Sequence, residues 1–303
     1  MVKTKVKTKK KQYFGSDKVF NTVLLVLSTI LMLSVLYPII FILSSSFSSG
    51  QAVNAGKIIL WPVEFTTIGY ELILSNKNLW HSIMMTLFYI LGGGFVCMAL
   101  MILVAYPMSR KNFQGRTIYQ TYFLIPMWVS GGLIPSFILT TQLGLFNSIW
   151  NPIIGAGFNI YGMVIVRTYF TSSVPGDLLE AAKMDGITDF GYLLKILLPL
   201  SKPVLIVQAL NMALASWNSY MGPMIYLRDK ELWPIQLVIR EILQKETMDG
   251  TNFVVSEATR QLALNIETMR YSTIVITTFP FLIIFMSAMK YFKKGMMVGS
   301  MKG

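Results

Sequence analysis

Six stretches of this chain, roughly 20–46, 82–107, 118–140, 145–166, 203–227 and 271–289, contain no Asp, Glu, Lys or Arg. Each is long enough to cross about 30 Å of hydrocarbon as a helix. Within hydrocarbon the backbone must satisfy its own hydrogen bonds, so a stretch of this kind folds as a helix. The pattern predicts an all-α membrane protein with six transmembrane helices. Composition agrees: 54% of the residues are hydrophobic and only 13% are charged, outside the range of a soluble domain. The third and fourth stretches are interrupted by Pro126, Pro135, Pro152 and several glycines. Such breaks survive where neighbouring helices or a cavity take up the freed backbone groups.

Orientation follows from the basic residues. Residues 1–18 form a lysine-rich tail with one acid, Asp17. The apolar run behind it is too long for a signal peptide, and no small-residue cleavage site closes it, so it reads as a retained first span. With the N-terminus inside, the inner segments hold 18 basic residues and five acids, and the outer segments hold eight and nine. Both termini are then cytoplasmic. The layout is a 1–18 basic tail, one permeating membrane domain over 19–292 and a cytoplasmic 293–303 tail. The net charge of +12 becomes a topology signal and a contact for anionic lipids, with no nucleic-acid partner. Two outer loops are large, 47–81 and 228–270. The second carries a helix-like run, IQLVIREILQK. A binding surface and a lid are the two roles open to a loop of that length.

Several chemistries are absent. His81 and Cys97 are the single histidine and cysteine, so neither a histidine-rich metal site nor a disulfide framework is expected. His81 reads as an interfacial residue and Cys97 as core packing. A phosphate-cradling Walker A loop needs a glycine upstream of its Gly-Lys-Ser/Thr. The nearest approach, Gly56-Lys57-Ile58, lacks both that glycine and the hydroxyl. The spans also lack the carboxylates that ion-coupled carriers use as relays. A porter with neither device draws its energy from a partner. The alternative is a self-contained, ion-coupled secondary carrier.

The fifth stretch carries a polar and small stripe of Gln208, Asn211, Ala215, Asn218, Ser219 and Gly222. These fall on one helical face. Two readings stand: a translocation path that hydrogen-bonds a polyhydroxylated solute, or a seam where small residues let helices approach. Trp217 and Tyr220, with Tyr226 and Trp233, either stack on sugar rings or mark the membrane interface. Gly92-Gly93-Gly94 and Gly131-Gly132 suit close packing or bending.

The long polar segment 173–203 carries a helix–turn–helix code. Ser173 is placed to cap a first helix, Pro175 suits its first turn, and Asp177 and Glu180 suit its positive end. Gly186 suits a left-handed cap, Thr188 caps a second helix, and Pro199 is expected to stop it. Both helices are too short and too charged to span a bilayer. Within this segment Glu180-Ala181-Ala182, Gly186, Ile196 and Leu198-Pro199 keep the spacing of the EAA loop, and the chain resembles ATP-binding-cassette (ABC) importer permeases. The likeness extends through YPIIFILSSSFS (37–48), LWPVEFTTIGY (60–70), AYPMSRKNFQGR (105–116), SGGLIPSFIL (130–139), WNSYMGPMIYLRD (217–229) and KKGMMVGSMKG (293–303). It points to the carbohydrate-uptake class, to the type of the second maltose permease subunit, and to its oligosaccharide subgroup.

The resemblance implies the type I ABC importer permease fold in the bacterial plasma membrane. It implies a second, homologous permease as heterodimer partner, a cytoplasmic ATPase dimer that binds ATP and Mg, and a lipid-anchored or secreted solute-binding protein outside. The chain itself would bind no cofactor and catalyse no reaction. Glu180, Ala181, Ala182, Asp185, Gly186, Ile196, Leu198 and Pro199 would couple to the ATPase, and Ala181 and Ala182 would let the helix sit deep in its groove. Gln208, Asn211, Trp217, Asn218 and Tyr220 are the candidates for the translocation path. In maltose-type pairs the other permease makes most sugar contacts, which sets the fifth span's role apart from the rest of the resemblance.

Overall fold

The computed structural model describes residues 15–248, 264, 267–283 and 285–287. Most of the basic tail, the 249–263 part of the second large loop and the 293–303 tail lie outside the described residues. Among the described residues the regular elements are helices, and the β feature is an isolated bridge between Ser48 and Phe65. The chain divides into two units, one of residues 1–70 and 254–275, the other of 71–253 and 276–303.

The first unit holds α1 (Gly15–Ser46), α2 (Gly50–Asn54) and the start of α3 (Ile68–Leu74). From Lys18 to Ile40 every side chain of α1 is exposed, and most are large and apolar. A helix hydrophobic all round takes lipid or another apolar surface as its solvent. Its end is different. Ser44, Ser45, Ser46 and Ser48 are buried, and the hydroxyls of Ser44 and Ser48 bind the loop that follows. Ser44 Oγ donates to the Leu60 carbonyl at 2.6 Å, and Ser48 Oγ accepts from the Val63 N–H at 3.0 Å. Phe47 stacks on Phe65 and Tyr70, with centroids 5.6 and 4.8 Å away. Buried loop backbone needs such partners. This loop is therefore ordered by its own hydrogen bonds and ring contacts. A Cβ on Gly50 would lie 2.0 Å from the Leu264 carbonyl oxygen, so no larger residue fits there.

The second unit is built on α4 (Lys77–Ser109). It continues with α5 (Arg116–Trp128), α6 (Leu133–Gln142), α7 (Trp150–Gly155), α8 (Ile160–Ser172), α9 (Asp177–Met184) and α10 (Asp189–Tyr192). A π-turn over Leu193–Leu197 leads to α11 (Leu198–Leu200), α12 (Lys202–Trp217), α13 (Met221–Tyr226) and α14 (Ile235–Met248). α15 (Glu267–Ser287) begins in the first unit and ends in the second. Helices α7, α8, α12 and α14 pack on α4. Gly93 permits the approach of α7, since a Cβ there would meet the Ala156 Cβ at 3.1 Å and the Ile153 carbonyl at 3.4 Å.

α1, α4 and α15 coincide with the first, second and sixth predicted spans, and each is long and apolar enough to cross a membrane unbroken. The third is bent by 114° between Trp128 and Leu133, where Gly132 has φ 83°. The fourth is not one helix: α7 ends at Gly155, and Asn159 starts α8 afresh by accepting from the Gly162 N–H at 2.8 Å. The fifth ends at Trp217, short of the predicted residue 227. It is preceded by a 79° bend at Ser201. Among the described residues three helices are long and apolar enough to cross a membrane, and up to five crossings result if each bent pair counts as one.

Candidate functional site

The far ends of α4 are clamped to two different segments. At the start, His81 Nε2 lies 2.7 Å from the Glu231 carbonyl, and the Tyr89 hydroxyl donates to the Leu232 carbonyl at 2.8 Å. Thr86 Oγ1 accepts from the Ile235 N–H at 2.8 Å. That N–H opens α14, so α14 is capped by a hydroxyl from another helix, and its face of Ile235, Leu237, Val238 and Ile239 is buried. The same segment is tied elsewhere by Asn147, which holds a left-handed φ of 52°. Its Oδ1 accepts from the Arg228 and Asp229 N–H groups at 2.9 and 3.0 Å, and its Nδ2 donates to Asp229 Oδ2 at 2.8 Å.

At its other end α4 meets the 174–204 segment. Met101, Ala105 and Met108 form one buried cluster with Met163, Val166 and Phe170 of α8 and with Val174, Ala182, Tyr192, Leu193, Leu197 and Val204. The Tyr106 hydroxyl donates to the Asp189 carbonyl at 2.9 Å, and the Arg110 guanidinium lies over the Tyr106 and Tyr192 rings at 4.8 and 5.5 Å. The turn forms as its residues dictate. Gly186 has φ 75°, the Ile187 N–H returns to the Ala182 carbonyl at 2.9 Å, and Thr188 Oγ1 accepts from the Gly191 N–H at 3.2 Å.

Two expectations for this segment are corrected. Ser173 caps no helix start, because α8 runs to Ser172 and Ser173 ends it; α9 starts at Asp177, and its N-cap, Gly176, supplies no side-chain bond. Pro199 does not stop the second helix. The π-turn places the Leu198 N–H on the Leu193 carbonyl and carries the helix through to Leu200. Lys183 pairs with Asp189 at 3.7 Å, both well exposed. Ala182 is 3% exposed and packs inside its own chain, so it is not available to sit in a partner's groove. The outward face carries Glu180, Ala181 and Asp185, with Met184 at 89% and Phe190 at 61% exposure. Ile196 and Leu198 are half-buried against the cluster, and Pro199 is exposed.

Between the two clamps lies a cavity of about 710 Å³. Tyr89 and Cys97 of α4, Asn151 and Pro152 of α7, Asn159, Tyr161, Ser216, Ser219, Gly222 and Tyr226 are on its wall, and no lining residue is Asp, Glu, Lys or Arg. The wall offers amides, hydroxyls and ring faces, a set suited to a polyol and without fixed charge. The predicted stripe is split by the end of α12 at Trp217, and it reaches the cavity through Ala215 of α12, Ser219 beyond it and Gly222 of α13. The five nominated residues do not. Gln208 is 4% exposed and packs at Gly162 of α8, where a Cβ would lie 2.8 Å from its Oε1. Asn211 is exposed, and Asn218 donates to the Leu214 carbonyl at 2.9 Å. Trp217 is buried against Phe281, 5.7 Å between centroids, and Tyr220 lies under Arg240 at 5.2 Å. Asn151, Asn159 and Tyr161 escaped the sequence reading. Their signal was the break at Pro152, Gly155 and Gly157, which opens the backbone where the cavity forms.

Residues 98–298 match the family model described as the binding-protein-dependent transport system inner membrane component. The chain belongs to this permease family. The permease is 34% identical over 88% of its length to the polygalacturonan/rhamnogalacturonan transport system permease protein YtcP of Bacillus subtilis (strain 168), covering 92% of that protein. It is 30% identical to protein LplC of the same organism, over 88% of this chain and 89% of that one. Among solved structures it superposes with TM-score 0.83 and 32% identity on a chain of a bacterial ABC transporter involved in the import of the acidic polysaccharide alginate. That match covers 92% of the permease and 99% of the solved chain. The permease is thus a sugar-class ABC transport subunit, not an enzyme, and a multi-pass protein of the bacterial plasma membrane.

Proposed function

We propose that this permease carries an oligosaccharide across the membrane, received from an extracellular solute-binding protein, and that it draws its energy from a separate ATPase docked on α9 and α10. The observation that carries the reading is the single helix α4 joining three elements: the 229–239 segment, the uncharged cavity and the 174–204 segment. A second, homologous permease completes the path. Both termini and the 174–204 segment are cytoplasmic, in keeping with the distribution of Lys and Arg.

The docking face is the exposed side of α9 and α10. Met184 and Phe190 project from a segment whose other side is locked into the core. Exposed anchors on a rigid base are what a partner's groove needs. The likeness to transporters of polygalacturonan, rhamnogalacturonan and alginate supports a saccharide cargo. On this chain's wall the cavity reads hydroxyls, since it has no cation to offer a carboxylate.

The test is reconstitution of the complete transporter in proteoliposomes. Phe190→Ala with Met184→Ala should leave assembly of the two permeases intact. It should weaken ATPase recruitment by about 2 kcal/mol, roughly thirtyfold, as loss of a hot-spot anchor does. Ser216→Val with Ser219→Val should lower uptake while binding-protein-stimulated ATP hydrolysis persists. Wild-type ATPase stoichiometry and uptake in the first variant would remove α9 and α10 from the energy path.

A further inference from the structure

Two guanidinium groups of the second unit face one another without a counter-charge among the described residues. Arg116 opens α5 and Arg167 lies in the last turns of α8. With the Gln120 amide oxygen turned toward them, that one oxygen accepts from Arg116 Nε at 3.0 Å and from Arg167 Nη2 and Nε at 2.9 and 3.1 Å. Arg167 Nε also reaches the Met108 carbonyl at 3.4 Å. Both side chains are half-buried. Neither arginine forms an ion pair among the described residues; Lys183–Asp189, Lys230–Glu241 and Glu267–Arg270 lie elsewhere.

Arg110, two residues beyond Met108, adds a third cation at this end of α4. Its Nη2 is buried and has no hydrogen-bond partner. Half-buried like charges held together by a neutral amide are unfavourable unless an anion completes the set. Guanidinium forks are matched to carboxylate and phosphate oxygens. Beside the pair, α5 exposes Ile118, Tyr119 and Tyr122. An anion that brings its own apolar chain therefore fits this place better than a free ion. Phosphate at the headgroup and acyl chain along α5 make that combination, and basic pockets between membrane helices take such headgroups.

We propose that Arg116 and Arg167, oriented by Gln120, hold the phosphate of an anionic phospholipid against α5, at the end of α4 that carries the 174–204 segment. The bound headgroup neutralises the pair and ties α5 to α8.

The test uses the assembled transporter in detergent, titrated separately with dioleoyl phosphatidylglycerol, dioleoyl phosphatidylcholine and inorganic phosphate. Retained lipids are counted by native mass spectrometry. The wild type should hold phosphatidylglycerol about tenfold more tightly than phosphatidylcholine. Arg116→Gln with Arg167→Gln should bring the two to parity. Arg116→Gln alone should lose part of the preference and serves if the double variant does not assemble. The pair of lysine replacements should keep more of the preference than the glutamine pair, because charge survives without the fork. An unchanged preference in the glutamine variants would overturn the assignment. Absence of a preference in the wild type would overturn it too, pointing to a carboxylate of the second permease as the counter-charge. Displacement of phosphatidylglycerol by millimolar inorganic phosphate would refute the lipid and assign the site to a free anion.

Discussion

Thr86→Val isolates one interaction of the clamp at the start of α4. The change is nearly isosteric and deletes the oxygen that accepts from the Ile235 N–H at 2.8 Å. Thr86 is 1% exposed and Ile235 0%, so no water replaces the lost acceptor. A buried N–H left unpaired costs about 1–3 kcal/mol. The hydroxyl also donates to the Ser82 carbonyl at 2.7 Å. That loss matters little, since a carbonyl inside α4 keeps its helical partner. For a domain of this size each kcal/mol moves the melting temperature by roughly 2–4 °C, which gives a fall of about 2–12 °C. Thr86→Ser is the control: it keeps the oxygen and loses one methyl, worth about 0.8 kcal/mol. Thermal unfolding of the purified transporter ranks the three proteins, and hydrogen exchange over 235–242 localises the effect. Transport should fall further in the valine variant than in the serine variant, because α14 has lost its link to α4. If the valine variant melted with the wild type and exchanged no faster in α14, a cap supplied from another helix would not be what holds that segment.

Three further outcomes are expected. Gly186→Pro should abolish uptake, because the turn needs φ 75° and proline fixes φ near −65°; membrane insertion, followed by immunoblot, should persist. Asn147→Ala removes two acceptor bonds and one donor bond to Arg228 and Asp229 and leaves a β-carbon at positive φ, so it should cost about 1–2 kcal/mol in denaturant unfolding and weaken binding-protein stimulation. Single cysteines placed at Lys57 and Lys111 on a Cys97→Ser background should label from outside only at position 57 with an impermeant maleimide; the reverse pattern would invert the topology.

Local codes were read well where the chemistry is local. Gly186 and Thr188 act within four residues of themselves, and the structure places both as their types suggest. Ser173 failed because capping depends on where the preceding helix stops, and α8 consumes it. Pro199 failed because a π-turn reroutes the hydrogen bonds around it, an accommodation that spacing alone does not announce. The long spans α1, α4 and α15 were legible from apolar length. The fourth was not, since Asn159 restarts a helix inside an apolar run. The cavity escaped for a tertiary reason. Periodicity finds the polar face of α12, but Gly162 lets Gln208 sink into α8, and that packing turns a neighbouring face, with Met212 and Ser216, toward the cavity.

The glycines at 92–94 stand at the midpoint of α4, where α7 comes within contact of the backbone. A 33-residue helix is about 50 Å long. Held at its middle and gripped at both ends, it has the mechanics of a seesaw. A tilt of about 10° about Gly93 displaces each end by roughly 4 Å, in opposite senses. Whatever pulls on Tyr106 and Arg110 then arrives at Thr86 and His81 with its direction reversed, and the cavity lies beside the pivot, where the walls travel least.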